Sequence, residues 1–422
     1  MNYFSLTKQQ LKDEYERQIK RYENLKAQQL CLDLSRGKPS AEQLDLSNSI
    51  LDCVNSSSVL YTENGTDCRN YGLLEGIPEA RNLFAEILDT DPSNVLVAGN
   101  SSLILMFALL SHAMIDGIMG GVPFCKQEKI KFLCPAPGYD RHFDMTRHFG
   151  FELITVDMES DGPNMDQIEE LVKDPAVKGV WCVPKYQNPT GVVYSDKTVR
   201  RFAALKPASP DFRIFWDNAY CMHNYDGDTH TILDIISECK KAQNEDMVYE
   251  FCSTSKMSYP GGGIAAIATS PANIIDIKGF LKYATIGPDK INQLRAVRFF
   301  KNKQNIKKHM KLQAAVLAPK FAAVQKVLEK ELSCCGIGEW TKPCGGYFIS
   351  FNTPEGCAKR TVNLCAECGV KFTPAGATFP YGIDPADRNI RLAPSFATLD
   401  EIEKAVEIFC VSVKIAALEK LL

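Results

Sequence analysis

Seven short, nearly continuous apolar runs, five of them ending in a polar cluster, constrain this chain more than any other feature. They fall at residues 94–98, 130–134, 151–157, 177–183, 212–216, 248–252 and 264–269. A strand with one wet face alternates apolar and polar residues, whereas a run that is apolar throughout reads as a strand covered on both faces. The stretches between the runs are long enough for helices. The expectation is an α/β fold: a mixed, mostly parallel seven-stranded sheet flanked by helices. The two ends of the chain read differently. Leu11, Tyr15, Ile19, Tyr22 and Leu25 recur at steps of three or four, which predicts an N-terminal helix with one apolar stripe. An extended piece follows at 31–34. Beyond about residue 290 a long helical region reaches Leu332, short strands are expected at 347–351 and 390–392, and a last helix starts near Leu399. The division expected is 1–50 as a helix and segment joining a small domain, 51–300 as the large α/β domain, and 301–422 as a smaller α+β domain.

A chain of 422 residues with 45% hydrophobic content can bury a large core, and its net charge of -3 gives no footing for nucleic acid or a membrane surface. No apolar run is long enough to span a bilayer, and the N-terminus lacks a secretory pattern. The sixteen cysteines are mostly scattered singly and read as reduced thiols of a cytoplasmic protein. Neither Cys334-Cys335 nor the pair Cys365 and Cys368 has the second half of a zinc site, so no metal is expected.

Five of the runs end in chemistry. Residues 94–98 lead into Gly99-Asn100-Ser101-Ser102 and an apolar helix. Residues 130–134 lead into Pro135-Ala136-Pro137-Gly138-Tyr139, and 177–183 into Pro184-Lys185-Tyr186-Gln187-Asn188-Pro189-Thr190-Gly191. Residues 212–216 run into Asp217-Asn218-Ala219-Tyr220, and 248–252 into Ser253-Thr254-Ser255-Lys256. Taken singly, each has a plain explanation: Asn-Pro-Thr-Gly is a good turn, and a serine or aspartate before a helix is a good cap. Together they place five polar ends on one edge of one sheet, where open α/β sheets bind their ligands.

With Arg36-Gly37-Lys38-Pro39, Ile286-Gly287-Pro288-Asp289-Lys290 and Asn389-Ile390-Arg391-Leu392 added, the order and spacing resemble the fold-type I enzymes that use pyridoxal 5'-phosphate (PLP). Among these the chain is most similar to class I aminotransferases, in the aspartate-aminotransferase-like subgroup related to the enzyme half of MocR regulators. The resemblance implies that Lys256 holds PLP as a Schiff base and shuttles a proton, and that Asp217 faces the pyridine nitrogen. It implies that Tyr220 and Asn188 donate to the ring oxygen and that Tyr139 stacks on the ring. Phosphate would rest on Asn100, Ser101 and Ser102 at a helix N-terminus, with help from Ser253 and Ser255 and from Tyr71 of a neighbouring subunit. Arg391 and the backbone of Gly37 would take the substrate α-carboxylate. The phosphate-clamping arginine common in class I is replaced by Gly261-Gly262-Gly263-Ile264.

The resemblance further implies amino acid and 2-oxo acid substrates and a homodimer with shared sites. The reaction expected is aspartate with 2-oxoglutarate giving oxaloacetate and glutamate. Donors of the aromatic or 2-aminoadipate type, or a lyase or decarboxylase reaction, are the alternatives on the same fold. A ligand sensor would need a DNA-binding domain, and the residues before Arg36 supply one helix. A second substrate carboxylate would fall to Lys38, Lys282 or Lys290, which the sequence does not rank. The six histidines receive no role.

Overall fold

The computed structural model describes residues 2–225 and 230–422. All seven expected strands form one sheet. Across it run Val95–Val97, Ala265–Ala268, Val248–Ser253, Arg213–Asp217, Val177–Cys182, Lys131–Ala136 and Glu152–Glu159, with the two-residue strand Gly162–Pro163 added at the edge. Ala265–Ala268 is antiparallel to both its neighbours, Gly162–Pro163 is antiparallel to Glu152–Glu159, and the remaining pairs are parallel. The five strands with polar sequels therefore all point the same way.

Burial explains the nearly continuous apolar runs, except at the edge strand Glu152–Glu159, where Glu152, Thr155 and Asp157 are exposed. Val180, Ile214 and Trp216 pack on one face with Phe84, Phe202 and Ile235. Trp181, Phe215 and Phe251 pack on the other with Leu105, Leu109 and Phe132. Successive residues of a strand point to opposite faces, and here both faces are dry. Each such side chain stabilises the fold by about 1.5–3 kcal/mol when fully buried.

A further core joins the two ends of the chain. Tyr3, Leu11, Tyr22 and Leu25 pack with Leu317, Phe321, Phe351 and Phe409. Over it lie the antiparallel strands Glu339–Trp340, Ile349–Asn352 and Asn389–Leu392, while Leu32–Asp33 pairs in parallel with Val370–Lys371. The helix Lys303–Leu332 begins against the first core through Ile306 and Met310 and ends in this one.

The N-terminal helix, Lys8–Lys26, differs from expectation in one respect. It buries Glu14 and Gln18, whereas Tyr15 and Ile19 are only half-buried. Glu14 Oε1 accepts from Tyr3 Oη at 2.7 Å and from Gln18 Nε2 at 2.8 Å. These polar bonds turn the helix away from its purely apolar face.

Candidate active site

A cavity of about 570 Å³ opens at the carboxyl ends of the parallel strands, between the sheet and the core that joins the chain ends. Gly37, Tyr139, Asn188, Asp217, Tyr220, Lys256 and Arg391 all line it. Each was expected in the site from sequence.

Lys256 sits in a tight turn beyond Val248–Ser253. Thr254 organises that turn: its carbonyl accepts from Met257 and Ser258, and its hydroxyl accepts from the amide of Ile264 at 3.0 Å. The carbonyl of Lys256 accepts from His223 Nε2 at 3.2 Å. The amine lies 4.7 Å from the centre of the Tyr220 ring. Desolvation lowers the amine's pKa, against the opposing pull of the Asp217 charge. Burial drives the Tyr220 phenol far above its usual range, so it remains a proton donor.

Asp217 ends the strand Arg213–Asp217 and is 3% exposed. His142 Nε2 lies 3.1 Å from Oδ2, while Oδ1 is buried with no partner among the described residues. The His142 ring is stacked on Trp181 at 4.2 Å and meets Tyr139 edge-on at 4.8 Å. His142 is therefore a site residue that the sequence did not reveal. The available signal was position: it lies three residues after Tyr139, in the first turn of the helix Asp140–His148 at the same sheet edge.

Arg391, on Asn389–Leu392, is 7% exposed. Nη1 donates to Asp140 Oδ1 at 2.9 Å and to Asn188 Oδ1 at 3.2 Å, and Nη2 donates to Thr373 Oγ1 at 3.2 Å. Nε is buried without a partner among the described residues. The guanidinium lies over Phe348, 4.9 Å from the ring centre. Phe348 also explains Gly37, where a Cβ would come within 2.4 Å of Phe348 Cζ. Glycine at this position lets the ring under the arginine fit.

The expected phosphate residues form a group of their own. Ser101 caps the helix Ser102–Ile115 by accepting from Leu103 N at 3.3 Å, and Ser255 Oγ donates to the Asn100 carbonyl at 3.2 Å. Ser253 is buried as the last residue of its strand. Gly263 packs against Ser255, where a Cβ would lie 3.2 Å from the serine amide nitrogen. A cation meets this loop from another element: Arg295 Nη2 donates to the Gly262 carbonyl at 3.3 Å, and its Nε is buried without a partner among the described residues. Tyr71 lies apart from the cavity and is 78% exposed.

Of the three lysines weighed for a second carboxylate, only Lys38 lines the cavity, its amine 3.8 Å from the Phe396 ring centre. Lys282 is exposed beside Tyr283, and Lys290 is buried with its amine donating to the Gly72 carbonyl at 3.0 Å. Arg36, Arg141 and Lys371 also line the cavity. Arg141 and Arg36 make no ion pair among the described residues.

The sheet order, the chemistry of the strand ends and the lysine–aspartate–arginine cavity define an aminotransferase. The chain belongs to the aspartate amino-transferase family, whose model matches residues 6–422. An aspartate aminotransferase of Corynebacterium glutamicum is 41% identical over 401 residues, covering 95% of this chain and 93% of that protein. The crystal structure of an aspartate transaminase from the same organism superposes with a TM-score of 0.98 at 39% identity, covering 100% of both chains. An α-aminoadipate aminotransferase of Thermus thermophilus, complexed with N-(5'-phosphopyridoxyl)-L-leucine, shares the fold with a TM-score of 0.73 at 21% identity, covering 93% of this chain and 94% of that one. Among the described residues, no helix is long and apolar enough to cross a membrane.

Proposed function

We propose that this chain is a PLP-dependent aspartate aminotransferase, passing the amino group of aspartate to 2-oxoglutarate and yielding oxaloacetate and glutamate. The observation that carries the reading is the orphaned Oδ1 of Asp217, held in the same cavity as the Lys256 amine and Arg391. A buried carboxylate oxygen without a donor is costly, and the N–H of a protonated pyridine ring would satisfy it. The residues present thus fit the cofactor. When bound, PLP supplies an aldehyde carbon for the amino group and a ring that draws electrons from the substrate Cα.

The chain's own residues do the rest. Lys256, its amine made easier to deprotonate by burial, would hold the aldehyde and, once freed by substrate, would serve as the base that takes the Cα proton. His142 fixes the rotation of Asp217 by holding Oδ2, which would leave Oδ1 free for the ring nitrogen. The Tyr220 hydroxyl and Asn188 Nδ2 would donate to the ring oxygen; Asn188 Oδ1 is already held by Arg391, which orients the amide. Arg391 takes the α-carboxylate in the place Asp140 now occupies. Arg36, Lys38, Arg141 and Lys371 give the same cavity the positive charge that a second carboxylate requires, and the two arginines suit it best because their forks match a carboxylate. Amides at the start of Ser102–Ile115, the hydroxyls of Ser101 and Ser255, and Arg295 would hold the phosphate.

A homodimer fits the surface. The loops carrying Tyr71 and Ile286 are tied together by the Lys290 amine on the Gly72 carbonyl, and they expose Tyr71, Tyr283 and Ile286, with nothing among the described residues to cover them. The test of the reading is borohydride reduction of the holoenzyme followed by peptide mapping, which should tag Lys256. Lys256→Ala should lose the visible absorbance of the bound cofactor. With 2-oxoglutarate fixed, kcat/KM should be highest for aspartate among aspartate, alanine, phenylalanine and 2-aminoadipate; a better donor than aspartate overturns the substrate assignment.

A further inference from the structure

Beside the strand end that carries Asp217 lies a second cavity of about 160 Å³, whose wall includes Lys185, Asn218, Cys221, Asp234 and Glu250. None of these side chains has a part in the amino-transfer chemistry above. Cys221 is half-buried and directly follows Tyr220; Cys252 is fully buried and directly precedes Ser253. Their sulfurs are 3.5 Å apart. The hydrogen bond from Cys252 lowers the pKa of the Cys221 thiol against the cost of burial, with Lys185 and Lys303 adding positive charge, whereas the Cys252 thiol is pushed up. In the same cavity, burial drives the Glu250 carboxyl well above the carboxylate range, so it carries a proton. Its Oε1 accepts from Asn218 Nδ2 at 2.9 Å, and its Oε2 has no partner among the described residues. A partly accessible thiol with a lysine nearby, next to a second thiol, is the arrangement that reacts with peroxides.

We propose that Cys221 and Cys252 form a peroxide-operated dithiol that reversibly switches this enzyme off. The Cys221 thiolate attacks one oxygen of hydrogen peroxide; the S–O bond forms, the O–O bond breaks, and Glu250 protonates the leaving hydroxide to water. The proton released from Cys221 restores Glu250. Cys252 sulfur then attacks the Cys221 sulfenic acid, the S–S bond forms, and the hydroxyl leaves as a second water with the proton of Cys252. Two thiols and one peroxide give one disulfide and two waters.

The consequence for activity is geometric. A disulfide is about 2.05 Å long, so the sulfurs must close by about 1.5 Å. That closure pulls on the turn carrying Tyr220 and on the Cys221 carbonyl, which the Lys185 amine holds at 3.0 Å. Misplacing a catalytic group by about 1 Å can cost roughly a hundredfold in rate.

The activity part rests on the proposed function; the bond itself does not. Reduced holoenzyme is exposed to graded hydrogen peroxide, blocked with N-ethylmaleimide after unfolding, digested without reductant and mapped by mass spectrometry. The expected result is a linked Cys221–Cys252 peptide, lighter by two hydrogens, that rises as activity falls roughly tenfold or more. Dithiothreitol should reverse both. Cys252→Ser should leave a dimedone-reactive Cys221 and no linked peptide, and Cys221→Ser should resist the loss. Oxidation of the exposed Cys31 and Cys125 while Cys221 and Cys252 stay unlinked overturns the proposal, as does a linked enzyme of full activity. An enzyme inactive toward every donor before peroxide counts against the proposed function alone, because the peptide map still decides the bond.

Discussion

His223 gives the fold a calculable weakness in acid. The imidazole is buried among Tyr220, Tyr347 and the backbone of Lys256, with Nε2 donating to the Lys256 carbonyl at 3.2 Å. Burial, with the nearby Lys256 and Lys185 charges adding to it, holds its pKa down to about 3 from the usual 6.5; only the bond to the Lys256 carbonyl opposes this. The sign follows from which state takes the proton. Above pH 6.5 neither folded nor unfolded imidazole binds it, and His223 contributes nothing to pH dependence. Below 6.5 the unfolded chain gains a proton that the folded one refuses, so stability falls as pH drops toward 3. At about pH 4.5 the loss is roughly 3 kcal/mol, about two pH units below the ordinary imidazole pKa at about 1.36 kcal/mol each. His223→Gln keeps a donor for the carbonyl and removes the titration. Urea unfolding of wild type and variant at about pH 7.5 and about pH 4.5 isolates the term, since every other titrating group is common to both. Wild type should lose roughly 3 kcal/mol more than the variant. Equal losses would show that the folded imidazole accepts a proton at its ordinary pKa, and the reasoning fails.

Asp140→Asn should lower KM for aspartate about fivefold with little change in kcat, because the internal carboxylate that competes for Arg391 loses its charge, a contribution of about 1 kcal/mol for a part-exposed partner. A rise in KM would mean that Asp140 only holds the arginine in place. Arg141→Ala should cut kcat/KM for aspartate roughly ten- to a hundredfold and leave alanine unchanged, the usual worth of a charged hydrogen bond being about 1.5–3 kcal/mol; equal losses on both donors would remove it from side-chain recognition. Arg295→Ala should weaken PLP by roughly tenfold or more and leave pyridoxal, which lacks the phosphate, unaffected, as read by absorbance titration. Parallel loss of both ligands would make Arg295 a support for the glycine loop.

What the sequence made legible was whatever a single element carries within itself. A strand buried on both faces announces itself as an unbroken apolar run, and the polar residues just beyond it must fall at the sheet edge. The clusters holding Lys256, Asp217, Asn188 and Tyr139 were found that way, and the family resemblance picked those residues out of them. Gly162–Pro163 is too short to form a run, and the rotation of the N-terminal helix depends on Tyr3, which the periodicity of residues 11–25 does not contain. The same limit hid the partners. His142 owes its place at Asp217 to stacking on Trp181, from a different strand, and Arg295 reaches Gly262 from a helix 33 residues further on. The resemblance directed attention to lysines at 282 and 290, yet the fold commits one to the Gly72 carbonyl and leaves the other on the surface.

Arg391 shows why such pairings matter for function. A guanidinium buried to this degree without a counter-charge would be strongly destabilising, so the chain must supply an anion whenever substrate is absent. Asp140 does so at 2.9 Å, and it is only partly buried, with 28% of its side chain exposed, so it can turn to solvent at modest cost when a substrate carboxylate arrives. Arg141 is the next residue in the chain. Both residues stand in the first turn of Asp140–His148, and both line the cavity. On the proposed function, the residue that releases Arg391 and the one that would meet a second carboxylate sit on one turn of Asp140–His148, whose third residue, His142, lies against Asp217. On the proposed function, one helix start would link both ends of a dicarboxylate to Asp217.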